Sequence, residues 1–188
     1  DYYGFVIAAI MLFVAFVAPE VLCTDRRTGM LGVYLSSPLN RDTYLLGKAI
    51  AIAIALSLVC LGPPLLLLLA NVLQSQGPDG FGDILLALVR VLTAGVVLTV
   101  FYTGVTMGVA SLTDRKTVAT AGIILIFLVS IMVTGILSVS GAPEGSQALS
   151  PTYLSLDLAS RIHGEPGNTM PSASSALVWG AWLAWTAG

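Results

Sequence analysis

The sequence predicts an all-α fold, a polytopic transmembrane helical bundle of about five spans, and three observations support this. First, 56% of the 188 residues are hydrophobic and only 10% are charged, whereas a soluble domain carries about 25% charged residues. Second, the mean hydropathy of +0.93 comes from apolar stretches of about 20 residues, the length that crosses a bilayer core. Third, short polar segments separate these stretches, as expected for loops between spans.

Four stretches are long enough to span a membrane, and a fifth begins at Ala176 and continues to the last residue. The predicted spans are residues 4–22, 45–73, 84–112, 118–139 and 176–188. Asp1, Tyr2 and Tyr3 precede the first span and are typical of an interfacial aromatic anchor. Because the last predicted span has only 13 residues, we expect a single transmembrane domain over residues 1–188 that is incomplete at both ends.

The charges predict the orientation of the chain. Residues 23–48 hold four of the eight basic residues, and the short turn 113–117 holds two more. Residues 74–83 and 141–175 together hold five acidic residues and one basic residue. Because basic loops stay on the cytoplasmic side, we expect a multi-pass plasma-membrane protein. In it, 23–48 and 113–117 are cytoplasmic, and 74–83 and 141–175 lie outside.

Arg90 is the remaining basic residue, and it lies within the third predicted span, seven residues after Asp83. We expect its side chain to reach the outer interface, and a role along a substrate path is the alternative. In the same span, small residues are expected to allow close helix packing. These residues are Gly95, Thr99, Gly104 and Gly108.

The outer segment 141–175 is predicted to hold one short amphipathic helix. Ser150 and Pro151 are typical of an N-cap followed by a proline in the first turn, and Asp157 and Arg161 form an i, i+4 pair. Apolar residues also recur at spacing four: Leu154, Leu158 and Ile162. We expect this helix to lie along the outer interface, and the alternation of leucines leaves a strand as the minor alternative.

Within the basic segment 23–48, Pro38 disfavours helix at the residue before it. Asn40, Arg41 and Asp42 supply an N-cap and an acidic first turn, so a new helix is predicted to begin near Arg41 and continue through Lys48 into the second span. A solvated hairpin that only joins two spans is the alternative interpretation of the whole segment.

The stretch DRRTGMLGVYLSSPLNRDTYLLGK resembles the cytoplasmic signature of type-2 ATP-binding-cassette (ABC) exporter permeases. The matching positions are Asp25, Arg26, Gly29, Leu31, Leu35, Pro38, Arg41, Gly47 and Lys48. Asp25 stands where Glu is usual, and Met30 where Thr is usual. The order of spans and loops also agrees with that family over essentially the whole chain, with the family's first helix missing before Asp1 and most of its last one missing after Gly188.

The resemblance implies that the 23–48 loop is a coupling element, which docks in a groove of a cytoplasmic ABC ATPase and transmits its closure to the spans. For polar contacts with that partner we expect Arg26, Arg27 and Arg41, because guanidinium groups pair well with carboxylates. For the apolar anchor we expect Leu31 and Leu35.

Three further basic residues are candidates near the same surface. Lys48 is either part of the coupling loop or an anchor to lipid phosphates. Arg115 and Lys116 in the 113–117 turn form a second candidate contact. The family further implies a second permease copy or paralogue as partner, membrane lipid around both, and ATP and Mg²⁺ bound by the ATPase and not by this chain.

Other functional classes are disfavoured by the sequence. It has no GxxxxGK[ST] phosphate loop, no HExxH and no GxSxG, and one His and two separated Cys do not assemble a metal cluster. A pI of about 5.1 gives no basic footprint for nucleic acid. Within residues 49–73 and 118–139, Cys60 is the one ionisable side chain, which argues against proton- or sodium-driven transport. Glu20 is interpreted as an interfacial cap.

These observations together predict the permease subunit of an ATP-driven exporter, which is not itself an enzyme and binds no cofactor. The alternative is a non-transporting scaffold or assembly protein whose basic loop docks another cytoplasmic partner. A passive channel is the third hypothesis. The spans show no distinctive polar set, so the sequence indicates no particular substrate.

Overall fold

The computed structural model describes residues 10–17, 19–20, 41–74, 80–113, 115–167 and 169–187. Of these residues 86% are helical and none lies in a strand. In chain order the elements are α1 (described over 10–17), α2 (Arg41–Leu73), α3 (Phe81–Ser111), α4 (Lys116–Val139), the 3₁₀ helix η1 (Glu144–Leu149), α5 (Pro151–Ile162) and α6 (Ser175–Ala187). The predicted all-α class is therefore confirmed.

Helices α2, α3 and α4 are each long and apolar enough to cross a membrane. They begin two to four residues before the spans predicted at 45–73, 84–112 and 118–139 and end within one residue of them. Large apolar side chains cover their outer faces, and Leu58 and Leu125 are 76% and 62% exposed. Such faces are stable in lipid, where apolar side chains have no contact with water.

Helix α3 is the central helix of the bundle, and it packs against α2, α4, α5 and α6. A Cβ on Gly95 would overlap Leu61 of α2, so the two helices approach closely there. Seven residues separate α2 from α3, so two helices that pack along each other after so short a connection run antiparallel. On another face, Trp182 Nε1 of α6 donates to Val97 O of α3 at 3.3 Å.

The core is built from narrow stripes at helical spacing. On α2 the stripe is Ile52, Leu56 and Cys60, each no more than 2% exposed. On α4 it includes Ile123 and Phe127. Because apolar positions four residues apart share one face of a helix, α2 and α4 each bury a narrow stripe, whereas the central α3 buries residues on more than one face. Cys60 is a free and buried cysteine.

The small residues of α3 have different surroundings. Gly95 and Gly104 each lie where a Cβ would meet a neighbouring helix: Leu61 for the first, and the backbone of Thr186 at 2.9 Å for the second. This confirms the expected close packing at both positions. At Gly108 a Cβ would meet no heavy atom of a neighbouring helix within 4 Å among the described residues, so the expected close packing is not seen there.

Helix α5 is the predicted amphipathic helix, but it does not lie along an interface. Its apolar residues Leu154 and Leu158 are fully buried, and so are the polar residues Ser155 and Asp157. A helix lying on a surface would expose its polar face, so the expected interfacial position is wrong. The polar side is instead covered by the rest of the bundle, since α5 packs against η1, α3, α4 and α6.

Asp157 and Arg161 form the predicted i, i+4 ion pair, with 2.7 Å between Oδ2 and Nε. The same carboxylate accepts the Met170 backbone N–H at 3.1 Å. The Arg161 guanidinium also donates to the carbonyl oxygens of Met170 and Ala173. The pair therefore fastens the chain after α5 back onto α5, a polar network hidden inside the bundle.

Arg90 contacts the end of α5. A Cβ on Gly164 would lie 3.2 Å from Arg90 Nη2, and Gly164 has a φ of 84°, which glycine adopts without strain. His163 is the C-cap of α5, so the Arg90 guanidinium lies near the negative end of that helix dipole. Its environment is thus the outer segment of the same chain.

Candidate functional site

The candidate site is at one end of the bundle, which we call the basic end. It comprises the first turns of α2, the end of α3 and the start of α4, because α2 and α3 are antiparallel and α4 follows α3 directly. Glu20, which follows the described part of α1, belongs to it through an ion pair with Lys116. The basic end therefore gathers groups that are far apart in the sequence.

Helix α2 is described from Arg41 to Leu73, and it contains Pro63 and Pro64. Gly47 and Lys48 lie near its described start, so the last part of the predicted coupling segment belongs to the same helix as the second predicted span. The Lys48 Nζ lies 5.9 Å from the centroid of the Tyr44 ring, one turn earlier. This is the distance of a weak cation–π contact, and it directs the lysine back along α2.

Most of the predicted coupling residues lie outside the described residues. They are Asp25, Arg26, Arg27, Gly29, Leu31, Leu35 and Pro38. Their expected roles therefore stay predictions.

The second candidate contact, the turn before α4, is described in detail. Arg115 is the N-cap of α4, in an extended conformation, and its backbone N–H donates to Thr113 Oγ1 at 3.2 Å. Lys116 is the first residue of α4, and its Nζ pairs with the Glu20 carboxylate. Arg115 is therefore exposed to solvent. Lys116 instead connects the start of α4 to Glu20, which follows the described part of α1.

Helix α1 is anchored in the core just before this ion pair. Ile10, Val14 and Ala15 are each 1% exposed and belong to the same apolar cluster as Ile123 and Phe127 of α4. Apolar packing of this kind fixes the helices laterally. The Glu20–Lys116 pair adds a polar connection at the basic end, directly before the predicted coupling loop.

No group of three His, Cys, Asp or Glu side chains within the described residues is placed to hold a metal ion. His163 Nδ1 lies 2.8 Å from the Ala159 carbonyl oxygen, a local bond at the end of α5. The chemistry that the arrangement offers at the basic end is therefore that of charge pairing and mechanical connection.

Long apolar helices, exposed apolar faces and a basic end define a membrane-embedded helical protein. A family model described as ABC-2 family transporter protein matches residues 2–182. The chain belongs to this family, and it is a permease component of an ABC transporter and not the ATPase. No curated protein and no solved structure matches the chain significantly.

Sequence reasoning missed the Glu20–Lys116 ion pair, although it named both residues. The predicted topology contains a signal for this pair. It places Glu20 at the end of the first span and Lys116 just before the fourth span, on the same side of the membrane, and the two side chains have opposite charges. The contact between Tyr102 and Ser155 was missed too, and no local pattern indicates it. It joins residues 53 positions apart and depends on how α5 inserts into the bundle.

Proposed function

We propose that this permease works in an ABC exporter as a dimer in the cell membrane, and that residues 23–48 couple it to a separate cytoplasmic ATPase. The observation that carries the proposal is the continuity of α2. The described helix extends from Arg41, inside the stretch that matches the family signature, to Leu73. A displacement of the coupling loop by the ATPase is therefore passed directly to a helix long enough to span the membrane.

Alternating access then follows from mechanics at the basic end. Closure of the ATPase on nucleotide moves the docked loop, the loop moves the first turns of α2, and α2 moves against α3. The tight contact between Leu61 and Gly95 supports this path, because closely packed helices shift as rigid bodies.

The decisive experiment reverses charge at Arg26 and Arg41. The full-length protein is purified with its ATPase in lipid nanodiscs, and coupled hydrolysis is measured as the rate of the complex above that of the isolated ATPase. Because a reversed charge faces a like charge on its partner, R26E and R41E should each lower coupled hydrolysis about tenfold or more. The control E165K changes an exposed charge in the outer segment and should leave the coupled rate unchanged.

Parental coupled rates in both arginine variants would refute the coupling role. The orientation has its own test, since a membrane-impermeant thiol reagent should not label Cys23 in intact cells. Labelling there, with Cys60 replaced by serine, would place the loop on the wrong side and would favour a scaffold that docks another partner.

A further inference from the structure

We infer that Glu20 and Lys116 are positioning residues for coupling, whose ion pair makes α4 move together with the end of α1 when the coupling loop is displaced. This inference rests on the proposed function. Its basis is the placement of the pair: Glu20 lies three residues before the basic segment begins at Cys23. Lys116 is the first residue of α4.

The Glu20–Lys116 pair connects the coupling loop to α4, a helix that the loop does not adjoin in the sequence. Through Arg41 the loop is continuous with α2, so a push on the loop reaches α2 and, by packing, α3. At its other end the loop follows α1, whose Val14 belongs to the same buried apolar cluster as Ile123 of α4. The ion pair adds a directional polar contact between the ends of α1 and α4 to this shared apolar cluster.

The partial exposure of the Glu20–Lys116 ion pair predicts that its loss does not unfold the bundle. The side chains of Lys116 and Glu20 are 44% and 56% exposed, and ion pairs at that exposure contribute little to the stability of a fold. Loss of the pair should therefore affect coupling and leave the folded bundle intact.

The positions of the two neighbouring basic residues distinguish Lys116, which makes the contact with Glu20, from Arg115. Arg115 precedes α4 in an extended conformation and is exposed, with no ion pair to the described residues. Lys116 lies on α4 itself, so a force on its side chain acts on the helix backbone. The neighbouring arginine is therefore a matched control of the same charge in the same turn.

The test is a charge exchange in the full-length protein with its ATPase in nanodiscs. E20K and K116E should each lower coupled hydrolysis about two- to fivefold, the factor that corresponds to an exposed ion pair. The double variant E20K/K116E restores the attraction with the charges exchanged, and it should recover most of the parental rate. E20K/R115E should not recover the rate above that of E20K alone, because Glu20 pairs with Lys116.

Two measurements separate this inference from the proposed function. Thermal unfolding of each variant should stay at the parental midpoint, and the amount of ATPase that co-purifies should stay constant. Single variants that hydrolyse at the parental rate, or a double variant that is no better than K116E, would overturn the positioning role while the exporter proposal stands. A parental protein that binds no ATPase would overturn both.

Discussion

The Tyr102 hydroxyl of α3 lies 3.0 Å from the Ser155 hydroxyl of α5, and both side chains are fully buried. Tyr102 is nine residues from the end of α3 at Ser111 and 21 from its start at Phe81. At 1.5 Å per residue this position is about 14 Å from the basic end of α3. Helix α5 therefore contacts α3 beyond the midpoint of α3, and the buried hydroxyl groups of Tyr102 and Ser155 satisfy each other there.

The two partners of this bond should differ in the cost of their loss. Ser155 Oγ also donates to the Thr152 carbonyl at 2.8 Å, so Y102F leaves the serine with a partner and should cost about 1 kcal/mol. S155A leaves a buried tyrosine hydroxyl unpaired and should cost about 2 kcal/mol. Thermal unfolding in detergent measures both, with S138A, an exposed serine of α4, as control. The reverse order, or equal loss in all three, would contradict the bond.

Alanine at Gly104 and at Gly108 should have opposite effects on stability. A Cβ at Gly104 would lie 2.9 Å from the Thr186 backbone, and such overpacking costs about 1–3 kcal/mol. At Gly108 a Cβ would meet nothing within 4 Å in the described part of the chain, and alanine is favoured over glycine in a helix by about 1 kcal/mol. The midpoint of thermal unfolding should therefore fall for G104A and rise or stay constant for G108A. A stable G104A protein would show that α6 does not pack where we describe it.

Removing the charge of Asp157 should loosen the segment between α5 and α6. D157N deprives Arg161 of its carboxylate in a buried network, and breaking a buried pair costs about 3 kcal/mol. Limited proteolysis should then cut within residues 163–174 at protease concentrations that leave the parent intact. D83N, which changes an exposed carboxylate on α3, is the control, and equal cleavage of both variants would argue against the network.

Glu144 should make the outer segment sensitive to acid. Hydrogen bonds from the Ser172 hydroxyl and backbone N–H lower the pKa of the Glu144 carboxyl below its ordinary 4.5. A lowered acid pKa stabilises the fold above the unfolded value, and that contribution is lost as the pH falls through the folded value. Proteolysis of residues 163–174 by an acid protease should therefore increase below pH 4.5. E144Q removes the titration, so a parent and a variant with the same pH dependence would contradict this assignment.

The three long helices of the bundle could be predicted from the sequence, because a membrane-spanning helix requires a long apolar stretch. A helix in hydrocarbon needs about 20 apolar residues, and α2, α3 and α4 satisfy this requirement. The interfacial position of α5 was predicted wrongly, because a leucine stripe beside an Asp157–Arg161 pair looks the same on a surface helix as on one whose polar side is covered by partners.

The sequence by itself determined the all-α class, the approximate bounds of the spans and the membership in the ABC-2 transporter family, because each of these depends on composition and local order. Only the tertiary structure decided that Glu20 meets Lys116, that Tyr102 meets Ser155 and that Gly104 packs against α6. These contacts join residues distant in the chain, and their geometry depends on how the helices are rotated about their axes. An apolar helix in lipid has many nearly equal rotations, so packing between specific side chains selects one.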